Sequence, residues 1–349
     1  MQDIFSDITT ANIASYWTTL TQNEAPFIGE TLFPSVKQGS RDVTWYKGET
    51  AAASPLKASG YNAQTVDRDR QGFSERVTRT KFFKEGQKID EQLRQQLLTV
   101  QNSPIPAQRD AILQHVFDDT TNLLRGASLI REITRMQVLR TGKFEIKSNG
   151  QDYKEDFEMN PSHIKSATKS WKDDGSPLDD FDNAISTITN DSGITPTRVL
   201  LNRNTFNVLV RNEEVKATIL ANNANTSAAA VPRSVVTGYM ASEYGLTFQV
   251  YDKTYRDVDG TMKKFIPDGE VILIPDGDLG KTVFSPTPEE TDLMASSNAD
   301  VSIVDTGVAI SNTVLNDPVT KRTKVSQQFT PTFEMIDGVY VLKAFPSNS

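Results

Sequence analysis

A chain of 349 residues exceeds what one hydrophobic core usually sustains. An apolar share of 37% with 23% charged residues is too apolar for general disorder and too polar for a bilayer span. The absence of cysteine removes disulfides, thiolate nucleophiles and cysteine zinc sites, and two histidines cannot build a His-rich metal centre. The net charge of −8 averages an uneven distribution: −3 over 1–40, +3 over 41–90, +2 over 91–150, −10 over 151–300 and zero over 301–349. No Lys/Arg stripe supports sequence-reading nucleic-acid binding, whereas oppositely charged halves can attract each other between copies of the chain. Met1-Gln2-Asp3 has neither a basic nor an apolar leader region, so no secretory signal is expected. The longest aliphatic run, Val271–Ile274, is far short of the roughly 20 residues a membrane helix needs, so no membrane partner is expected.

Residues 1–40 read as an arm with a short helix, because Ile8, Ile13, Tyr16, Trp17 and Leu20 recur at near-helical spacing before Pro26 and Pro34. Val43, Trp45 and Tyr46 form one strand-like run and Val77 to Phe83 another. Between them lies a small-residue stretch, 51–60, too poor in apolar side chains to bury itself. A long hairpin of this kind is expected to pack on another subunit. A helix is predicted from Lys88 to Val100, then a Pro-broken second one over about 106–141. Pro106 suits its first turn, Arg135 and Arg140 its last, and Gly142 its C′ position. At 1.5 Å per residue that helix is about 50 Å long, a strut. Asn149-Gly150 between alternating runs predicts a hairpin. Further on, helices are predicted over Leu178–Ile188 and Asn204–Leu220, and strands at Arg198–Leu201, Phe248–Tyr251 and Glu270–Ile274. Strands around Asp337-Gly338 close the fold, and the class is α+β.

Candidate chemistry is sparse. Asp257-Val258-Asp259-Gly260 opens like a calcium loop but lacks the later oxygen ligands, which favours a hairpin turn. His115 sits beside the apolar stripe of the long helix, and His163 follows a proline turn with no evident carboxylate–serine constellation. The pairs Asp118/Asp119, Asp173/Asp174, Asp179/Asp180 and Glu213/Glu214 are adjacent in sequence and diverge. No Walker A, dinucleotide fingerprint or serine elbow occurs. No catalytic residue, cofactor or metal is expected.

Four stretches carry a resemblance: Leu139–Phe144 running through the hairpin to Asp156-Phe157-Glu158-Met159; Ser170-Trp171-Lys172 with Asp179-Asp180; Phe206–Ile219; and Tyr255–Asp268 with the strand to Ile274. In this order the chain resembles the major capsid proteins of tailed bacteriophages, the lambda-type major capsid protein E family. The resemblance spans about residues 30–345, although each motif alone is loose. It implies the Hong Kong 97 type of fold. Residues 1–40 would be the N-terminal arm, 41–87 the extended E-loop, and 88–165 the peripheral domain with its spine helix. Residues 166–319 would be the axial domain, and 320–349 the return to the peripheral domain. Some relatives cross-link a lysine to an asparagine between subunits; Lys57 is expected only to be exposed.

The implied function is a non-enzymatic major capsid protein that forms hexamers and pentamers of an icosahedral shell around packaged double-stranded DNA. That DNA would be held without sequence-specific binding. The implied location is the virion, and the host cytoplasm during assembly. A separate scaffolding protein, a portal and a decoration protein are the further implied partners. Val43, Trp45 and Tyr46, with the basic Lys57, Arg68, Arg70, Arg76 and Arg79, are the expected interface residues. On that reading Trp45→Ala leaves a folded subunit that fails to form capsomers. Two other classes stay open from residues alone: a carboxylate-dependent α+β hydrolase, and another virion component such as a tail-tube or connector subunit.

Overall fold

The computed structural model describes residues 8–22, 24–47, 56–65, 74–101, 106–221, 231–295 and 299–345. The chain divides into two compact units. One comprises 1–44, 77–134 and 281–332, the other 45–76, 135–280 and 333–349.

The first unit is built on a six-stranded sheet whose hub is the strand Val319–Pro331. It pairs antiparallel with Lys81–Ile89, with Val308–Asn316 and, at its end, with Thr282–Phe284. Asp300–Val304 extends the sheet beyond Val308–Asn316, and Ser35–Lys37 adds in parallel to Thr282–Phe284. One face is covered by helices. Ile13 and Trp17, four residues apart in helix Thr10–Thr21, pack with Leu123, Leu124 and Ala127 of the long helix on Val304, Val308, Ile310 and Val325. The N-terminal segment is therefore part of this core. Its helix is fixed at the start by Thr9, whose hydroxyl accepts from Asn12 N at 3.2 Å. Asp300 accepts from Thr10 N and Thr10 Oγ1, each at 2.8 Å, placing a carboxylate where the helix dipole favours one.

The long helix runs Pro106–Thr141, as its spacing predicts, and ends where Gly142 turns left-handed at φ +65°. A Cβ there would lie 2.4 Å from Met159 Cβ, so both the turn and the contact require glycine. The preceding helix starts at Glu91 instead of Lys88. Lys81–Ile89 is drawn into the sheet, and Asp90 Oδ1 caps the helix by accepting from Leu93 N at 2.9 Å.

The second unit holds a five-stranded sheet in the order Ile164–Ser166, Tyr340–Lys343, Glu270–Ile274, Arg198–Leu201, Thr247–Val250, parallel at both edges and antiparallel in the middle. Val199, Leu201, Val271, Leu273, Tyr340 and Leu342 meet helices Pro177–Ser192, Arg203–Arg211, Glu213–Ala221 and Arg233–Tyr244. The alternate residues Leu200, Ile272, Ile274 and Val341 are buried as well, which is why these strands are continuous apolar runs. The helix predicted over Asn204–Leu220 is two helices. Asn212 breaks it, taking an extended ψ of 137° and accepting from Glu214 N and Val215 N as the cap of the next helix. Its amide also donates to the carbonyls of Trp171 and Gly175. The Asn-Gly hairpin forms as predicted, Lys143–Ser148 with Gln151–Asp156, with φ of +49° at Asn149 and +73° at Gly150.

Candidate functional site

Among the described residues no group of three or more metal-ligating side chains converges. The calcium-like loop is a hairpin turn: Asp257 accepts from Val258 N and Lys263 Nζ, and Asp259 accepts from Thr261. His163 does gain a carboxylate that its sequence neighbourhood hides, from twenty-eight positions away. Its Nε2 lies 3.1 Å from Asp191 Oδ2 and its Nδ1 3.0 Å from Val339 O, with the ring 1% exposed. Ser162 Oγ donates to that same Asp191 oxygen at 3.1 Å and has no bond to the imidazole. The serine is thus not activated by the histidine, and the group ties loop to helix. His115 lies in the long helix.

Asp42–Lys47 and Ser74–Arg79 pair as a two-stranded ribbon that leads out to residues 56–65. Strand alternation sends Val43 and Trp45 inward, 2% and 5% exposed, and Tyr46 outward at 53%. Trp45 packs on Phe157 with ring centroids 5.7 Å apart, so two of the three expected anchors belong to the chain's own interior. Truncating Trp45 opens a cavity within the subunit, so a failure of that variant to assemble would not by itself identify an interface.

The expected cations sort in the same way. Arg76 grips Glu158 with both terminal guanidinium nitrogens, one bond at 2.8 Å. Arg79 donates to Asp42 at 2.8 Å. The hydrogen bond from Arg79 holds the Asp42 carboxyl below the usual carboxylate range, and Arg76 does the same to Glu158. Lys57 is exposed, and Arg68 and Arg70 lie outside the described residues. Leu56 and Tyr61, which sequence reasoning passed over, are fully presented at 92% and 104%. Their signal was available: large apolar side chains in a segment with no apolar partners nearby.

Interior polar groups in the first unit form a second notable cluster. Arg131, 3% exposed, donates to Gln327 Oε1 at 2.9 Å and Asp305 at 3.1 Å and lies over the Phe284 ring. Burial pulls its pKa down while Asp305 opposes. Glu289, 3% exposed, accepts from Lys324 and, at 2.7 Å, from Ser326 Oγ. These pairs are satisfied structural contacts.

The subunit is an α+β fold with a two-stranded ribbon and a 36-residue helix. Two solved structures share it. A capsid-assigned prophage protein of Escherichia coli CFT073 matches with TM-score 0.61 and 14% identity over 96% of this chain and 99% of that one. A phage-related protein of Bordetella bronchiseptica RB50 matches with TM-score 0.54 and 15% identity over 95% and 96%. The model for phage major capsid protein E matches residues 9–305. The chain belongs to that family, and its fold is the Hong Kong 97 type of tailed-phage capsids.

Proposed function

We propose that this chain is the head subunit whose copies form the hexamers and pentamers of an icosahedral shell enclosing double-stranded DNA. The observation that carries the reading is the family match across 9–305, which takes in the long helix, both hairpins and nearly all of the second unit. The protein is structural, not an enzyme, and works in the virion. Within this reading, 1–40 act as the arm, 41–87 as the E-loop and 88–165 with 320–349 as the peripheral domain. Residues 166–319 act as the axial domain. Leu56, Lys57 and Tyr61 present themselves to a neighbouring copy, with Tyr46 at the base of the loop. A separately encoded scaffold, a portal and a decoration protein complete the set of partners.

Electron microscopy of the purified full-length chain, alone and with its phage's scaffolding protein, tests this reading. Closed particles of uniform size are expected. A stable monomer under every condition, including with scaffold, overturns it.

A further inference from the structure

The outward face of the first unit's sheet gathers cations that the described chain leaves without counter-ions. Along Lys81–Ile89, Ile89 joins the helix-covered core, so Lys84, Gly86 and Lys88 occupy the opposite face. The hub strand places Arg322 directly opposite Lys88 and Lys324 directly opposite Gly86. Arg322 Nε lies 3.5 Å from where a Gly86 Cβ would be, so the guanidinium rests over the glycine, between the two lysines. Lys324 is neutralised by Glu289. Lys84, Lys88 and Arg322 are exposed and make no side-chain ion pair among the described residues; Lys84 lies only over the Phe82 ring, at 5.6 Å. Like charges directly opposite on an antiparallel ladder destabilise it, so this face is improved by an anionic occupant.

The second unit carries the matching surface. Asp179 and Asp182 lie in the first turns of helix Pro177–Ser192, and Glu243 lies near the end of helix Arg233–Tyr244. All three are exposed and unpaired among the described residues. They converge on two tyrosines whose rings meet edge-on at 6.3 Å. Burial pushes the Tyr244 hydroxyl up to about 12, with Asp182, Tyr239, Glu214 and Asp179 adding to it. Burial likewise raises Tyr239, with Glu243 and Asp182 adding. Carboxylates around half-buried aromatic rings form a surface suited to lysine and arginine.

We infer that the Lys84–Arg322–Lys88 face of one copy receives the Asp179–Asp182–Glu243 surface of a second copy. The inference rests on the shell-subunit reading and names one of its contacts. Two different patches meet, so the contact is head-to-tail and closes into a ring or propagates. Packaged DNA is the less fitting occupant, because phosphate tracking uses longer basic tracks than three cations in a chain of net charge −8.

The test uses three full-length variants: Lys88→Glu with Arg322→Glu, Asp179→Lys with Asp182→Lys, and all four together. The protein concentration at half-assembly is read by light scattering and sedimentation at several salt concentrations. Each pair is expected to raise that concentration by on the order of tenfold or more, less at high salt, and the fourfold variant to recover most of the loss. Recovery also shows that the single pairs had not simply misfolded. Unchanged assembly in both pairs, or losses that add in the fourfold variant, overturns the contact. Unchanged assembly with weakened DNA retention in the Lys88/Arg322 pair also overturns it, in favour of phosphate. If the wild type forms no closed particles, the shell reading fails. The contact is still decided, by whether an equimolar mixture of the two pair variants forms the head-to-tail oligomers that neither forms alone.

Discussion

The two units are buried by different means. In the second, Val271–Ile274 is apolar on both faces and packs among Leu, Val, Ile and Phe. In the first, the hub strand Val319–Pro331 is almost as deeply buried, yet the buried residues of its two faces include Lys321, Thr323, Ser326, Gln327 and Gln328. There the cost of desolvating polar groups is offset by hydrogen bonds. Gln327 Nε2 donates to Ala127 O at 2.9 Å, Gln328 Nε2 to Thr80 Oγ1 at 3.0 Å, and Lys321 Nζ to Ile8 O at 2.6 Å. An apolar core tolerates small volume changes, whereas a polar one fails when a single partner is lost.

That contrast can be broken from either side. Phe181→Ala should be the most damaging core change. Phe181 is fully buried between Trp171 and Phe248, at 5.6 and 5.9 Å between centroids, and its loss should cost about 3–5 kcal/mol by urea unfolding. In the first unit, Lys324→Met leaves Glu289 buried without its cation. This should cost about 3 kcal/mol, with much of it recovered when Glu289→Met is added. A conventional apolar core would show no such recovery, so the double variant separates the two designs. Asn149→Ala forces a left-handed φ on a residue that resists it and should cost about 1 kcal/mol.

The smallest effect is electrostatic. The Asp42 and Glu158 carboxyls are depressed in the folded chain, so their contribution is present above the ordinary carboxylate value of about 4. It should be lost as pH falls through the lower folded values. Thermal melts of Asp42→Asn and Glu158→Gln should therefore differ from wild type at pH 6 and converge with it in stronger acid.

The same contrast explains what the sequence made legible. The apolar strands at Arg198–Leu201 and Glu270–Ile274, the long helix and the Asn-Gly hairpin were readable because burial there leaves an apolar or turn signature. The strands Asp300–Val304 and Val308–Asn316, and the first half of the hub, were not, since Ser311, Asn312, Thr320 and Lys321 are buried without looking buried. At the candidate surface, the ribbon was recognised from its two strand-like runs. Which face of its strand pointed outward was not, because Val43, Trp45 and Tyr46 are all plausible anchors until Phe157 is seen beneath Trp45. The cationic face was hidden for another reason: Lys88 and Arg322 are 234 positions apart and become neighbours only through strand register.

The hub strand also sets a timetable for synthesis. Lys81–Ile89, Thr282–Phe284 and Val308–Asn316 have no common partner until Val319–Pro331 has emerged, and the second unit's sheet waits in the same way for Tyr340–Lys343 between Ile164–Ser166 and Glu270–Ile274. A ribosome must therefore translate past residue 331 before the first sheet can be completed, and past residue 343 before the second. Chains terminated before residue 319 lack an interior strand of both sheets, so they should be cleared by proteases instead of entering particles as defective members.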